Sequence, residues 1–517
     1  MEITRINKTN ILQLTKQMNS KSIIYVCILF LISSCGVKEN KVVKDKSLKN
    51  SRPNIILVMT DDQGMGDLSC TGNTILKTPH IDAFYENSTR LTDFQVSPTC
   101  APTRAALMSG RVPFKNGVTH TIFQRERMAQ DVFTFPQALQ SAGYATALFG
   151  KWHLGDEEEY LPQSRGFDEV LMHGAGGIGQ KQYGDFPPNT KETYADNVLL
   201  HNDTIVQTKG FCTDLFFDAS LAWIKKQHQE KQPYFAYVSL NAPHGPFINN
   251  APEKYQKRFL EAGYDKKTAV RYGMVENIDD NFGRMMAKLK EWNALENTLV
   301  IFMTDNGMSM PPINHNGEKF RAYNAGMKGG KNSPYEGGTH VPFFMQWDKV
   351  LKPGVDIKAL TAHIDIYQTF CDLAGVNLPK EMQELGGRSL VPLLEDANSE
   401  WTNRELFVHC GRWDTGKWED HKFKKVAVRT ERWRFSNNNG LYDILSDPGE
   451  KNNVYDANPS VVAALQKSYD QWWESTLPLM VNEGLPKVAP EDQPLVKRYY
   501  KQLEAYGIPD WSPESMD

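Results

Sequence analysis

The stretch Ser97-Pro98-Thr99-Cys100-Ala101-Pro102-Thr103-Arg104 brings a thiol, a first-turn proline and an arginine to what reads as a helix start. Proline's fixed φ and missing N–H suit a first turn, and the free N–H groups of a helix start favour an anion. Alone, Cys100 reads equally well as a small buried filler, the usual fate of a free cysteine. Four further motifs share a placement: each follows an apolar run. Asp61-Asp62 follows residues 54–60, Lys151 and His153 follow 144–149, His244 follows 234–240, and Asp305-Asn306 follows 299–304. Adjacent carboxylates at the end of a buried strand are costly unless a cation or strong hydrogen bonding compensates them. Asp61, Asp62, Asp305 and Asn306 offer the hard oxygen ligands that calcium or magnesium prefers. With the cations Arg104, Lys151 and Lys331, and the imidazoles of His153 and His244, they describe a pocket for a tetrahedral anion. The matching chemistry is sulfuryl or phosphoryl transfer by metal activation and charge stabilisation.

Bringing these residues together demands a particular scaffold. The apolar runs alternate with helical patterns at 133–142, 211–229 and 270–292, the last carrying Met274, Ile278, Phe282, Met285 and Leu289 at helical spacing. Such alternation predicts an α/β fold, a large, mostly parallel mixed sheet sandwiched by helices. Ligands bind such sheets at the carboxyl ends of the strands, so all four motifs converge on one edge. Residues 171–185, glycine-rich and carrying His173, read as a loop over that edge. They lack the strand-then-helix context of a dinucleotide fingerprint. Past Leu393 short alternating strands take over (405–409, 425–429, 433–435, 441–444), with a turn at Asn437-Asn438-Asn439-Gly440 and a helix near 460–474. The expected organisation is a catalytic domain over 53–393 and a smaller C-terminal α+β subdomain, built on an antiparallel sheet, over 394–517.

The 517 residues, 23% charged with a net charge of −4, give no electrostatic case for nucleic acid. The seven cysteines form no C-x-x-C pair, so zinc and thioredoxin-like readings lack support. Residues 23–34 are an apolar run behind Lys16 and Lys21. The run is shorter than the roughly 20 residues a membrane span needs and reads as a secretory signal. Its end, Ser33-Ser34-Cys35-Gly36, resembles a bacterial lipobox with Cys35 as the lipidated residue; an ordinary signal peptide or weak anchor is the alternative. A start at Met18 rather than Met1 gives a leader of ordinary length. Residues 1–34 are thus expected to be a lipoprotein signal peptide and 35–52 a lysine-rich flexible tether. The expected location is outside the cytoplasm, lipid-anchored to a bacterial outer membrane on its periplasmic face or at the cell surface, with no membrane contact beyond the lipid. Export permits disulfides among Cys70, Cys212, Cys371 and Cys410.

Cys100-Ala101-Pro102-Thr103-Arg104 matches the C-x-P-x-R signature of formylglycine-dependent type I sulfatases, within the alkaline phosphatase-like superfamily. Asp61-Asp62 before it, and Gly150-Lys151-Trp152-His153, Asn241-Ala242-Pro243-His244, Thr304-Asp305-Asn306-Gly307 and Gly329-Gly330-Lys331 after it, stand in the order that family shows. The resemblance implies that a maturation enzyme oxidises Cys100 to Cα-formylglycine (3-oxoalanine), whose hydrate is the nucleophile. It implies that Asp61, Asp62, Asp305, Asn306 and the modified Cys100 bind calcium, or magnesium in its place. Arg104 would hold the formylglycine oxygens, Lys151 and Lys331 the sulfate. His244 would protonate the leaving sugar oxygen, and His153 would take the proton whose loss expels sulfate. His340 stands where relatives carry arginine and Gln63 where an apolar residue is common, departures that bear on substrate choice; His173 and His340 are candidates for reaching the sugar, with a structural role the alternative for each. The substrate implied is a sulfated carbohydrate. The lysine-, asparagine- and isoleucine-rich leader and tether resemble those of Bacteroidota polysaccharide-utilisation enzymes, so algal polysaccharides such as ulvan, carrageenan or fucoidan are expected ahead of host glycosaminoglycans. The alternatives are a phosphonate or phosphodiester hydrolase using the same modified cysteine, or a surface glycan-binding protein on an inactive scaffold.

Overall fold

Ten strands form one sheet, seen here in a computed structural model that describes residues 47–377 and 385–516. In spatial order they are Asp356–Ile357, Thr89–Leu91, Phe343–Gln346, Thr298–Thr304, Asn54–Thr60, Tyr234–Ser239, Ala145–Lys151, Glu169–His173, Val198–His201 and Thr204–Gln207. Asn54–Thr60 lies at the centre, parallel to both neighbours, with Leu57 opposite Tyr237 on one side and Ile301 on the other. All seven of its residues are buried, which is why it reads as a continuous apolar run rather than an alternating one. Phe343–Gln346 runs antiparallel to Thr298–Thr304, and an antiparallel hairpin closes the opposite edge. The sheet is therefore mixed, with a parallel centre.

Alternation along the central strand explains the two helical layers. Ile55, Leu57 and Met59 join a core containing the helices Cys100–Ser109, Phe135–Ser141 and Asp365–Ala374. Ile56 and Val58 face the other way, onto Cys212–Glu230 and Lys266–Glu291. The last helix starts at Asp265, whose side chain accepts from the Thr268 amide and satisfies one of the free first-turn donors.

A four-stranded antiparallel sheet, Leu406–His409, Val426–Arg429, Trp433–Ser436 and Gly440–Asp443, packs on the helix Pro459–Thr476 around Trp413, Trp472 and Trp473. Residues 494–516, which the sequence groups with this small sheet, lie instead on the edge of the large one. The Gln502 side chain donates to the Ile205 carbonyl at 2.7 Å, and at that edge the Gln207 amide donates to the Pro509 carbonyl while the Trp511 amide donates to the Gln207 carbonyl, both at 2.9 Å. The segment thereby satisfies strand groups that would otherwise be open to pairing.

Cys35, the apolar run 23–34, both candidate starts and most of the tether lie outside the described residues. Cys70, Cys100, Cys212, Cys371 and Cys410 are all free thiols. Among the described residues no helix is long and apolar enough to cross a membrane.

Candidate active site

The parallel strands deliver their following residues to one edge of the sheet, as the strand–motif pattern requires. Cys100 opens a ten-residue helix buried on every side. Its N-cap, Thr99, makes no side-chain capping bond, so no capping side chain takes up the first-turn amides. The cysteine sulfur, an Asp61 oxygen and an Asp305 oxygen lie within 4.8 Å of one another.

Every carboxylate here is answered by a cation. Lys151 Nζ donates to Asp61 Oδ2 at 2.6 Å, and Lys331 Nζ reaches the Asp62 oxygens at 2.5 and 2.7 Å. Arg104 donates from Nη2 to Asp305 Oδ2 at 2.7 Å, and from Nη1 to the Lys151 carbonyl and Ser239 Oγ at 3.1 and 2.5 Å. Arg104 thus orients Asp305 and the end of the lysine strand. Burial pushes the Asp61 carboxyl up against the pull of Lys151, and pushes Asp305 up to about 6, with Asp61 adding repulsion. Burial presses the same way on Asp62, but Lys331 and His244 outweigh it and hold Asp62 below the usual carboxylate range.

Two oxygens are left over. Asp61 Oδ1 and Asn306 Oδ1 are buried and have no hydrogen-bond partner, although Asn306 Nδ2 donates to Asp62 Oδ1 at 3.0 Å. Unpaired buried oxygens beside three crowded carboxylates are the donor set of a hard divalent cation. The three carboxylates balance Arg104, Lys151 and Lys331, so a divalent ion would leave the site positive and ready for an anion.

The two imidazoles are held in different tautomers. His153, at a left-handed φ of 66°, points Nε2 at the Thr121 carbonyl at 2.8 Å. Since a carbonyl only accepts, Nε2 carries the proton, and Nδ1 is left buried without a partner. Burial, then Lys151, keeps this ring neutral well below the ordinary histidine value. It is a free base. His244 donates from Nδ1 to the Gly245 carbonyl at 2.6 Å, and its Nε2 lies 3.8 Å from Asp62 Oδ2. Burial lowers it to about 4 despite the nearby Asp62. His244 and Lys331 retain exposed side-chain surface, 18% and 13%. They are the groups an incoming substrate meets.

Glycines bring the remaining segments close. A Cβ on Gly307 would lie 1.8 Å from the Gly337 carbonyl oxygen, so only glycine lets the Asp305 loop and the Lys331 segment touch. A Cβ on Gly176 would lie 2.5 Å from His153 Nε2; residues 174–179 do lie over the site. His173 does not belong to that loop. It ends the strand Glu169–His173 opposite Lys151 and is fully buried, with Nδ1 on the Gly174 carbonyl. It offers no surface to a sugar, so the structure favours the structural role over the sugar-binding one. His340 is elsewhere as well. Its Nδ1 pairs with Glu336 at 2.9 Å and its Nε2 donates to the Thr92 carbonyl, beside a cleft that none of the catalytic set lines. Ser239, Thr121 and Tyr194, whose hydroxyl donates to the His244 and Gly245 carbonyls, escaped the sequence reading. None belongs to a charged motif; each follows or faces one.

Known proteins match the chain along this body. The Sulfatase family profile matches residues 53–376, and one described as N-sulphoglucosamine sulphohydrolase, C-terminal, matches 330–474. An N-acetylgalactosamine-6-O-sulfatase of Bacteroides thetaiotaomicron is 29% identical, over 84% of this chain and 96% of its own. The crystal structure of Ps i-CgsB in complex with k-i-k-neocarrahexaose superposes with a TM-score of 0.72 at 26% identity, covering 88% of this chain and 98% of that one. The phosphonate monoester hydrolase of Agrobacterium radiobacter shares the fold, with a TM-score of 0.57 at 21% identity over 83% of this chain and 96% of that one.

Proposed function

The chain belongs to the sulfatase family and is a sulfuric ester hydrolase, and on that footing we propose that it removes sulfate from a sulfated saccharide, with Cys100 converted to formylglycine. The observation that carries this reading is the placement of Cys100 at the head of a buried helix, within 4.8 Å of Asp61 and Asp305 oxygens. Asp61, Asp62, Asp305 and Asn306 would hold a divalent ion, calcium by preference, which when bound supplies charge to polarise the sulfate and stabilise an oxyanion at residue 100. The formylglycine hydrate would supply the attacking oxygen.

The chain's own side chains do the rest. Lys331 and Lys151, each already aligned by a carboxylate, would bind the anion. His244 lies at the exposed side; with Nδ1–H held on the Gly245 carbonyl, its Nε2 would take up a proton as the anionic substrate arrives beside it and hand that proton to the leaving oxygen. A departing alkoxide needs that proton, because it is a poor leaving group. His153 Nδ1, buried without a partner while Thr121 fixes the ring, would accept the proton of the second hydroxyl at residue 100. The N-acetylgalactosamine-6-O-sulfatase and the neocarrahexaose complex put galactose-type saccharides, including carrageenan fragments, first among the candidates, with ulvan and fucoidan kept behind them. An exported, lipid-anchored protein tethered through Cys35 would meet such polymers at the cell envelope.

The test is co-expression with a formylglycine-generating enzyme, mass measurement of the Cys100 peptide, and sulfate release from defined sulfated oligosaccharides beside a phosphate diester. Sulfate release that requires the modified peptide supports the reading. A modified protein that cleaves only the diester, or nothing, overturns it.

A further inference from the structure

Three segments distant in sequence meet beside His153 and Lys331. Residues 119–125 are tied to His153 through the Thr121 carbonyl. The Arg412 amide donates to the Thr119 carbonyl at 3.2 Å, and a Cβ on Gly411 would lie 1.9 Å from that same oxygen. Arg412 Nη1 donates to Asn332 Oδ1 at 2.5 Å, one residue from Lys331. Glu483 locks the third segment in place, accepting from Thr119 Oγ1, from Arg125 Nη1 at 3.0 Å and from Trp413 Nε1 at 2.6 Å. A continuous rim therefore runs from His153 to Lys331, half of it from the C-terminal subdomain.

This rim carries strain and unbalanced charge. Phe123, Gln124, Asn332 and Arg412 all hold left-handed φ angles, 64°, 63°, 65° and 64°. Non-glycine residues adopt them at a cost, and such outliers gather at binding sites. Glu483 is spent on Arg125, while Arg412 and Lys487 are exposed, and among the described residues no carboxylate pairs with either. Both act on one point. After burial and Arg125, they are the groups that hold the His120 imidazole down at about 3. Lys487 Nζ also lies 4.2 Å from the centre of the Phe123 ring, which packs edge-on against Tyr183 at 5.6 Å. Two converging cations beside an aromatic pair are a binding surface for an anionic sugar.

We propose that Arg412 and Lys487 form a second anion subsite, walled by Phe123 and Tyr183, so that the preferred substrate carries a second sulfate or a carboxylate close to the ester being cleaved. The proposal rests on the sulfatase reading above. Desulfation kinetics of the matured enzyme on disaccharides that bear one sulfate, two sulfates, or one sulfate and a uronate give the test. The wild type should prefer a doubly anionic member by about tenfold or more in kcat/KM, with the two doubly anionic arms telling sulfate from carboxylate. Arg412→Gln and Lys487→Gln should each erase most of that preference, acting through KM. A preference near one, or one that neither substitution changes, overturns the subsite while leaving the sulfatase reading intact. Failure of the wild type to desulfate any member would overturn both.

Discussion

Ser239 shows what single residues contribute behind the charged groups. Its hydroxyl donates to the Lys151 carbonyl at 2.7 Å and accepts from Arg104 at 2.5 Å, joining the strand that carries one catalytic lysine to the arginine that aligns Asp305. Ser239→Ala leaves Arg104 Nη1 one partner short in a fully buried place. It should cost about 1–3 kcal/mol of stability and lower kcat more than KM, which urea melts and steady-state kinetics would check. His153→Ala removes the fixed base outright and should lower kcat by about 10²–10⁴ with substrate binding largely retained; a smaller loss would assign the proton to another group. Cys100→Ala should abolish turnover in a folded protein, and a retained rate would refute the mechanism. The charged set was legible because paired carboxylates at a strand end have no cheap structural excuse. Ser239 was not, since a lone serine closing a strand is commonplace until its partners from two other segments are seen.

Elements were legible in proportion to their burial. Asn54–Thr60, Tyr234–Ser239 and Thr298–Thr304 lie within a residue of where their apolar runs predict, because both faces are covered. Val198–His201 and Thr204–Gln207 form a hairpin at the end of the sheet, and its four-residue runs are too short for the apolar pattern alone to mark them as strands. Residues 171–173 were read as loop for a related reason: the glycines that follow obscured the strand's end. The strand Ala145–Lys151 contains a glycine that demands an account. Gly150 has φ 117°, and a Cβ there would lie 1.9 Å from the Ser239 carbonyl oxygen. Gly150→Ala must therefore push apart the pair Gly150–Ser239, moving Lys151 and Ser239 together. The expected loss is about 1–3 kcal/mol from backbone strain alone, with kcat falling in parallel. Thermal melts showing an unperturbed protein would contradict this account of the strand.

At the scale of the molecule, the small sheet is joined to the large one through buried charge. Glu336, fully enclosed, pairs with Arg429 at 2.9 Å, with Arg434 and with His340; Arg429 also reaches Asp93 at 2.8 Å, and Arg434 reaches Glu450 at 3.2 Å. His340 thus belongs to the junction between the sheets. With both ring nitrogens on acceptors, it is held as an imidazolium, its pKa raised by Glu336 although burial opposes this. Glu336 itself is held well below the carboxylate range by Arg434 and Arg429, which outweigh its burial. The two shifts have opposite consequences. Glu336 contributes stability above its unfolded value near 4.3, lost as pH falls through its folded value; His340 contributes stability below its unfolded value near 6.5, lost as pH rises through its raised folded value. The junction should be firmest between those unfolded values and loosen on the alkaline side. His340→Gln keeps a donor for Thr92 but cannot gain the charge, so its melting temperature should fall below wild type at pH 6, with the gap narrowing as pH rises above 6.5. A constant gap across that range would assign His340 a neutral, purely steric place. Glu336→Gln strands two buried guanidinium groups and should cost about 3–5 kcal/mol at any of these pH values, separating the charge-borne part of the junction from its titratable part.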